Sequence, residues 1–427
     1  MEFKEFKIKN VASLVTDYVA NGSFKSLKEN VFVNEQPDFA VLIRLVDYNN
    51  NFNGPFKYID EKGYNFLSKT KLFGGEIIIS NVGANAGTVF KAPLLKCNMT
   101  LAPNSILVKF NGDNDYFYYY LKSKLGQHKL KSILSGSAQP KFNKTDFKNL
   151  EIEVPDEYNQ HKIGKSLKII DSKIEINKKI IANLEELSQT LFKRWFVDFE
   201  FPDENGDPYK SSGGEMVDSE LGEIPKGWNV KNLDDIANYM NGLAMQKFKP
   251  TDNQNSLPVV KIKELKNGST DENSNRCTSE IPEKALIVDG DIIFSWSATL
   301  LVKMWCGGKA GLNQHLFKVS SGKYPKWFYY YWTKRYIDYF IGIANDKATT
   351  MGHINRKHLS HAKILTPNDQ TLEKFSRTFD DLLEKELSVS KESKRLTELR
   401  DTLLPKLMSG EIEIPTDIEV NEDELSI

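Results

Sequence analysis

Cysteine is scarce in this 427-residue chain, and Cys97, Cys277 and Cys306 form no CxxC pair. That excludes a disulfide framework and a thiolate zinc site, leaving buried free thiols as the expectation. No run approaches the ~18 to 20 apolar residues of a membrane-spanning helix. The opening Met1-Glu2-Phe3-Lys4-Glu5 lacks an apolar signal core, so a cytoplasmic protein without membrane contact is expected. Arginine is also sparse, with eight against 49 lysines. Bidentate reading of guanine therefore has few hosts.

Catalytic signatures are missing as well. The chain has no HExxH, GxSxG, GxxxxGK[ST] or GxGxxG, and no Asn/Asp-Pro-Pro-aromatic motif for holding a target amino group. The glycines of Val82–Gly87 and Gly307–Gly311 lack phosphate-loop spacing. Glu264-Leu265-Lys266 with Asp252 upstream faintly resembles a nuclease metal site, but such triplets are frequent by chance. His353, His358 and His361 lie in a basic stretch without carboxylate or thiolate co-ligands, so phosphate proximity or plain surface outweighs metal binding. A chain that is not itself an enzyme is the expectation.

What is present is charge, unevenly placed. The formal total is −1, yet residues 1–150 carry +7 and 224–365 carry +8, while 198–223 and 411–427 carry −8 and −7. Attraction to phosphate is then confined to two blocks. Within residues 121–148 of the first, Lys122, Lys124, Lys129, Lys131, Lys141, Lys144 and Lys148 stand against only Asp146.

The two blocks are copies of each other. Gly75–Ser80 returns as Gly290–Ser295, and Tyr116–Tyr120 as Trp327–Tyr331. Asn143, Phe147, Ile152 and Pro155 recur as Asn355, Leu359, Ile364 and Pro367, about 212 residues on. Short β-branched runs predict strands at Phe39–Val46, Glu76–Ser80, Ser105–Phe110 and Leu150–Val154. Helical periodicity covers Tyr116–Leu134 and Trp327–Ile341, whose aromatic runs suit core packing better than base stacking. Each block is thus a mixed α/β (α+β) domain of about 150 residues.

A long amphipathic helix follows each block. Ile163, Leu167, Ile170, Ile174, Ile181, Leu184, Leu191 and Trp195 keep the alternating four and three of a heptad seam, with Asn177 and Ser188 in its two remaining places. The second copy supplies Phe375, Phe379, Leu382, Val389, Leu396, Leu403 and Leu407. At 1.5 Å per residue the first seam spans about 50 Å. A helix of that length buries its stripe against another helix, and the other copy is the nearest partner.

At the joint the sequence reads Leu191-Phe192-Lys193-Arg194-Trp195-Phe196-Val197-Asp198-Phe199-Glu200, then Met216–Trp228; the second helix ends in Leu403-Leu404-Pro405-Lys406-Leu407-Met408-Ser409-Gly410-Glu411-Ile412. These stretches closely resemble the specificity subunit of type I restriction–modification systems, over essentially the whole chain. The resemblance implies target-recognition domains at 1–155 and 224–366 and spacer helices at 156–200 and 367–410. It leaves an acidic linker at 201–223 and an acidic tail at 411–427. It further implies an antiparallel coiled coil with pseudo-twofold symmetry, each domain reading half of a bipartite site. Two methyltransferase subunits, with restriction–translocase subunits, would dock on the helices. S-adenosylmethionine, ATP and Mg²⁺ would sit on those partners, with no cofactor or metal on this chain. The competing expectation is a stand-alone DNA-binding regulator.

Candidate DNA contacts follow from the matched loops. Arg44 follows the apolar core Val41–Ile43 of its strand and Lys261 holds the matching place after Val259–Val260, while Ser80-Asn81 and Ser295-Trp296 follow the matched Gly-acid-Ile-Ile runs. Lys141 and Lys144 in Gln139–Lys144, and Arg356 and Lys357 in Met351–Lys357, suit phosphate contacts at helix starts. Trp195, Phe196 and Phe199 at the joint are candidates for docking a methyltransferase, against packing on their own helices.

Overall fold

A computed structural model describes residues 1–251, 255–346 and 352–415. Asp252, Met351 and most of the acidic tail lie outside them. Two compact units emerge: Met1–Lys173 with the stretch from Leu396 onward, and Ile174–Arg395. No helix among the described residues is long and apolar enough to cross a membrane.

In the first unit, short runs of continuously buried apolar residues build two sheets. Ala12–Asp17, Ser105–Phe110, Ile77–Ser80 and Val89–Lys91 pair antiparallel in that order. A five-stranded sheet sets Ala40–Ile43 parallel to Asn98–Leu101 at its centre. Ile77, Ile78 and Ile79 are fully buried because sheet and helices cover both faces of their strand. Lys4–Lys7 pairs antiparallel with Glu151–Val154 and ties the domain's two ends together.

The second unit repeats this plan. Asn238–Asn241, Leu316–Ser320, Ile292–Ser295 and Leu301–Met304 form the antiparallel sheet. Ser256–Val260 runs parallel to Ala310–Leu312 in the other, and Asn229–Asn232 with Lys363–Thr366 closes the ends.

The aromatic runs are core. Tyr116, Phe117, Tyr119 and Tyr120 are buried in the helix Asn114–Lys122, and Trp327 to Trp332 in the helix Lys326–Arg335. Each expected long helix is two short ones, broken at Ser123 and Tyr336. The Ser123 hydroxyl accepts from Gly126 N–H at 3.1 Å and caps the second segment. A Cβ on Gly126 would stand 2.1 Å from the Tyr120 carbonyl oxygen, so the tight turn requires glycine.

Glu157–Phe196 and Asp369–Ser409 are the long helices. Each contributes to both units, and within each unit the two run antiparallel. In the first, Arg400 Nη1 donates to Asp171 Oδ1 at 2.8 Å, and Leu403, Leu404, Leu407 and Met408 join the core of Ile163 and Leu167. In the second, Asn177 Nδ2 donates to Glu392 Oε2 at 2.8 Å, and Trp195 packs on Phe375 and Phe379. Asn177 and Ser188 are each 1% exposed, so the polar seam places are interior ones. The helices also meet their domains at matched positions. A Cβ on Gly164 would be 2.7 Å from Tyr116 N, and Trp327 Nε1 donates to Ser376 Oγ at 3.1 Å.

Two expectations need correction. The acidic stretch 201–223 is folded: Phe201 stacks on Tyr209 and Trp228, Tyr209 N–H donates to the Phe201 carbonyl, and Met216–Ser219 pairs with Gly222–Pro225. Aromatic anchors outweigh the acidic composition there. Cys97 is exposed on a bend, while Cys277 is buried and Cys306 half-buried. Glu264, in the triplet already set aside as a chance match, caps a helix, its carboxylate accepting from Lys261 N–H and Ser274 Oγ. Among the described residues no cluster of His, Cys, Asp and Glu is arranged to hold a metal.

Candidate nucleic-acid interface

Three loops meet at one end of the antiparallel sheet in each domain. In the first domain Ser80 stands opposite Ser105 in the ladder, so Asn81 lies beside Asn104, and Asn81 N–H donates to the Asn104 carbonyl at 3.1 Å. The same loop clasps the segment before the short helix Lys144–Asn149. Phe142 N–H donates to the Asn81 carbonyl at 3.1 Å, Asn81 Nδ2 to the Phe142 carbonyl at 2.9 Å, and Gly83 N–H to the Pro140 carbonyl at 2.9 Å.

The second domain is built alike. Ser295 stands opposite Leu316, so Trp296 lies beside His315, their rings 5.8 Å apart. Ile354 N–H donates to the Trp296 carbonyl at 3.1 Å, and Ala298 N–H to the Gly352 carbonyl at 3.0 Å. Val82 bridges Lys141 as Ser297 bridges His353. The loops that the repeat pairs in sequence are thus also joined in space, by the same backbone bonds in both copies.

Side chains at these places have different fates. Ser80 and Ser295 are buried, 3% and 0% exposed, because the strand turns them inward. Arg44 is committed to the fold: its guanidinium meets Asp47 through Nε at 3.0 Å and Nη2 at 2.6 Å, and donates to the Pro55 carbonyl. Lys261, at the matching start of a short helix, is exposed and donates to Asn275 Oδ1. Arg356 donates to the Tyr239 carbonyl at 2.8 Å, with its guanidinium carbon 5.8 Å from the centre of the Phe317 ring. Lys357 and Lys141 are exposed; Lys144 is half-buried and ion-paired with Asp17 at 3.0 Å.

The helix starts do not offer an empty anion site in the first domain. Asn143 Oδ1 accepts from Asp146 N–H at 2.9 Å, and the Asp146 carboxylate already occupies the first turn. His358 takes that acid's place in the second, where its Nδ1 accepts from Asn355 N–H at 3.1 Å. The cations these segments carry are Lys141, Lys144, Arg356 and Lys357.

Three polar atoms here are buried without a hydrogen-bond partner among the described residues: Asn81 Oδ1, Trp296 Nε1 and Gln314 Oε1. Native interiors tolerate few such groups. A recess of about 390 Å³ opens beside Asn81 and Asn104 in the first domain, rimmed by Lys28 and the 84%-exposed Phe24.

Sequence reasoning missed Asn104, Gln314 and His315. Each stands just ahead of a matched strand, at Ser105–Phe110 and Leu316–Ser320, so extending the repeat by one residue points to Asn104 and His315.

The joint aromatics are interior. Phe196 is fully buried among Trp228, Trp327, Phe328, Phe375 and Phe379, and Phe199 packs edge-on to Trp228. Trp195 is half-buried on Phe375. The exposure expected of Phe196 and Phe199 is absent because the second domain's own core receives them.

Duplicated α/β domains on antiparallel helices, with matched three-loop ends, define a paired recognition module. The family described as type I restriction modification DNA specificity domain matches residues 1–186 and 225–398, and the chain belongs to it. Among its relatives, the type I restriction enzyme MjaIX specificity subunit of Methanocaldococcus jannaschii is 30% identical over 317 residues, covering 73% of this chain and 72% of that one. The HindI specificity subunit of Haemophilus influenzae is 24% identical over 415 residues, with 84% of each chain covered. The crystal structure of the type I restriction–modification S subunit from M. genitalium shares the fold, with a TM-score of 0.55 at 16% identity over 95% of this chain and 96% of that one.

Proposed function

We propose that this chain is the non-catalytic specificity subunit of a type I restriction–modification complex. Each recognition domain binds one half of a bipartite, asymmetric site on double-stranded DNA, and the helix pair sets the spacing between halves. Two methyltransferase subunits dock on the helices, and restriction–translocase subunits join them. The assembled complex methylates adenine at N6 and cleaves unmodified DNA, with S-adenosylmethionine, ATP and Mg²⁺ held by the partners.

The observation that carries this reading is the doubled three-loop end, one on each of two basic domains. A single framework repeated with different side chains is what two unlike half-sites require. Lys141, Lys144, Lys261 and Lys357 supply phosphate attraction, and Asn81 and Trp296 hold the loops in shape. Trp195, Phe196 and Phe199 would bear on a methyltransferase indirectly, by fixing the surface of the helix pair.

A domain exchange tests the proposal. Residues 1–150 are replaced by another specificity subunit's first domain, and the sites methylated by the chain with its methyltransferase partner are mapped. One half-site should change and the other persist. Equal binding by the wild-type complex to its methylated sites and to random duplex would sink the function outright.

A further inference from the structure

We infer that Asn104 and His315 are the matched base-reading positions, one for each half-site; the inference rests on the proposed DNA-specificity function and names where that specificity resides. Both are exposed, and both stand one residue before a central strand, across the ladder from the clasping loop. Asn104 has a left-handed backbone, φ +65°, which asparagine tolerates better than most residues. The Asn104 amide makes no hydrogen bond among the described residues. It is spare, whereas Arg44 and Arg356 are tied into the fold and Ser80 and Ser295 point inward.

The register fixes the same backbone place in each copy, and the side chains there differ in kind. A carboxamide carries a donor and an acceptor together, the pattern that matches N7 and N6 of adenine in the major groove. The first domain's half-site therefore contains an adenine read by Asn104. His315 presents an imidazole beside the Trp296 ring, with Gln314 Nε2 3.4 Å from its Nε2. It selects a base pair in the other half-site by different contacts. Lys28 on the recess and Lys141 on the clasp flank Asn104 with positive charge, so a duplex bound there is held by its phosphates while the amide faces a base edge.

The test uses the full chain with its methyltransferase partner and duplex libraries randomised one base pair at a time through each half-site. Asn104→Gly keeps the left-handed backbone and removes the reader; His315→Ala removes an exposed side chain. Asn104→Gly should relax one adenine-containing pair of one half-site, with roughly 5- to 150-fold loss of discrimination, the equivalent of about 1–3 kcal/mol. His315→Ala should relax one pair of the other half-site only. Binding to random duplex and its salt dependence should stay as in the wild type. Asn104→Asp guards against a folding artefact: it keeps the shape, loses the donor, and should trade adenine for the cytosine N4 donor. Unchanged selectivity in Asn104→Gly and Asn104→Asp, or one variant relaxing both half-sites, overturns the inference. A wild-type complex without any site preference would instead defeat the proposed function.

Discussion

Ser80 to Gly83 holds Pro140 and Phe142 by the same backbone bonds with which Ser295 to Ala298 holds Gly352 and Ile354. Upon that shared scaffold the first domain carries Asn81 and Asn104 and the second carries Trp296 and His315. Amides stand in one place and rings in the other, while the order of the antiparallel sheet, the parallel pairing and the end-closing strands repeat. The lesson is a division of labour by atom type. Main-chain bonds hold the clasped loops alike in both domains, while the side chains at a few loop positions differ; under the proposed function those side chains decide what is read. The buried contacts of the helix ends follow the same split, aromatic on the second domain and aliphatic on the first.

That last contrast yields the largest expected effect. Phe196 ends the central helix inside the second domain's aromatic core, and Met408, 212 residues on, ends the other helix inside the first domain's core at 1% exposure. Phe196→Ala should cost about 3–5 kcal/mol and Met408→Ala about 2–5 kcal/mol. Denaturant melts should show each loss in the unit that holds the residue. Equal loss in both units would mean that the ends are coupled rather than separate.

Next comes a seam position occupied by Ile174 in one helix and Glu386 in the other, both 5% exposed. Burial and the neighbouring Glu185 push the Glu386 carboxyl up to about 7, against the pull of Lys334. Lys334 is itself ion-paired with Glu185 at 3.5 Å, and Tyr330 and Tyr331 also face this carboxyl. The folded state therefore keeps a proton that the unfolded chain releases near 4.5. Its stabilising contribution is full below that pH and fades as pH rises to about 7. Glu386→Gln should flatten the pH dependence of unfolding through this window. By pH 8 the variant should gain as much as about 3 kcal/mol relative to its deficit at pH 4, using 1.36 kcal/mol per unit. An unchanged pH profile would place the carboxyl in water instead.

Much of this architecture is legible in the sequence, for reasons tied to period. Strand Ser105–Phe110 and the burial of Asn177 and Ser188 follow from a short β-branched run and heptad spacing, which depend on neighbours along the chain. What escapes are features decided by distant or directional contacts. Arg44 reads as a free cation until Asp47, three residues on, turns its fork inward. Ser80 ends the predicted strand Glu76–Ser80 at a loop's edge, where its side chain reads as available, but sheet and helices cover both faces of that strand and bury it. Phe196 and Phe199 read as exposed aromatics because their covering residues, Trp228 and Trp327, lie far along the chain. Asn104 carries no motif at all. Only its register opposite the Asn81 loop makes it notable.

A smaller effect separates the cations from the reading groups. Lys141→Ala with Lys144→Ala should weaken binding to every duplex alike, by about tenfold at moderate salt, and lower the salt slope by about 1.8, or 0.9 per phosphate. Half-site preference should survive. Lys144 must leave Asp17 to reach a phosphate, so Lys141→Ala alone should account for more than half of the change. A shift in sequence preference would move these lysines to the base-reading set.

The smallest expected effect tests the scaffold itself. Gly83 adopts φ +95° and its match, Ala298, adopts φ +57°. A left-handed backbone costs a residue with a Cβ roughly 1–2 kcal/mol, so the second clasp carries strain that the first avoids. A Cβ on Gly83 would meet no atom within 4 Å, so Gly83→Ala isolates the backbone term and should destabilise the first unit by about 1 kcal/mol. Ala298→Gly relieves that strain but gives the unfolded chain more freedom, so its net gain should be well under 1 kcal/mol. Thermal melts of the two variants should therefore move in opposite directions and by unequal amounts. If both substitutions destabilise equally, the two clasps do not share one backbone conformation, and the matching on which the paired reading sites depend fails with it.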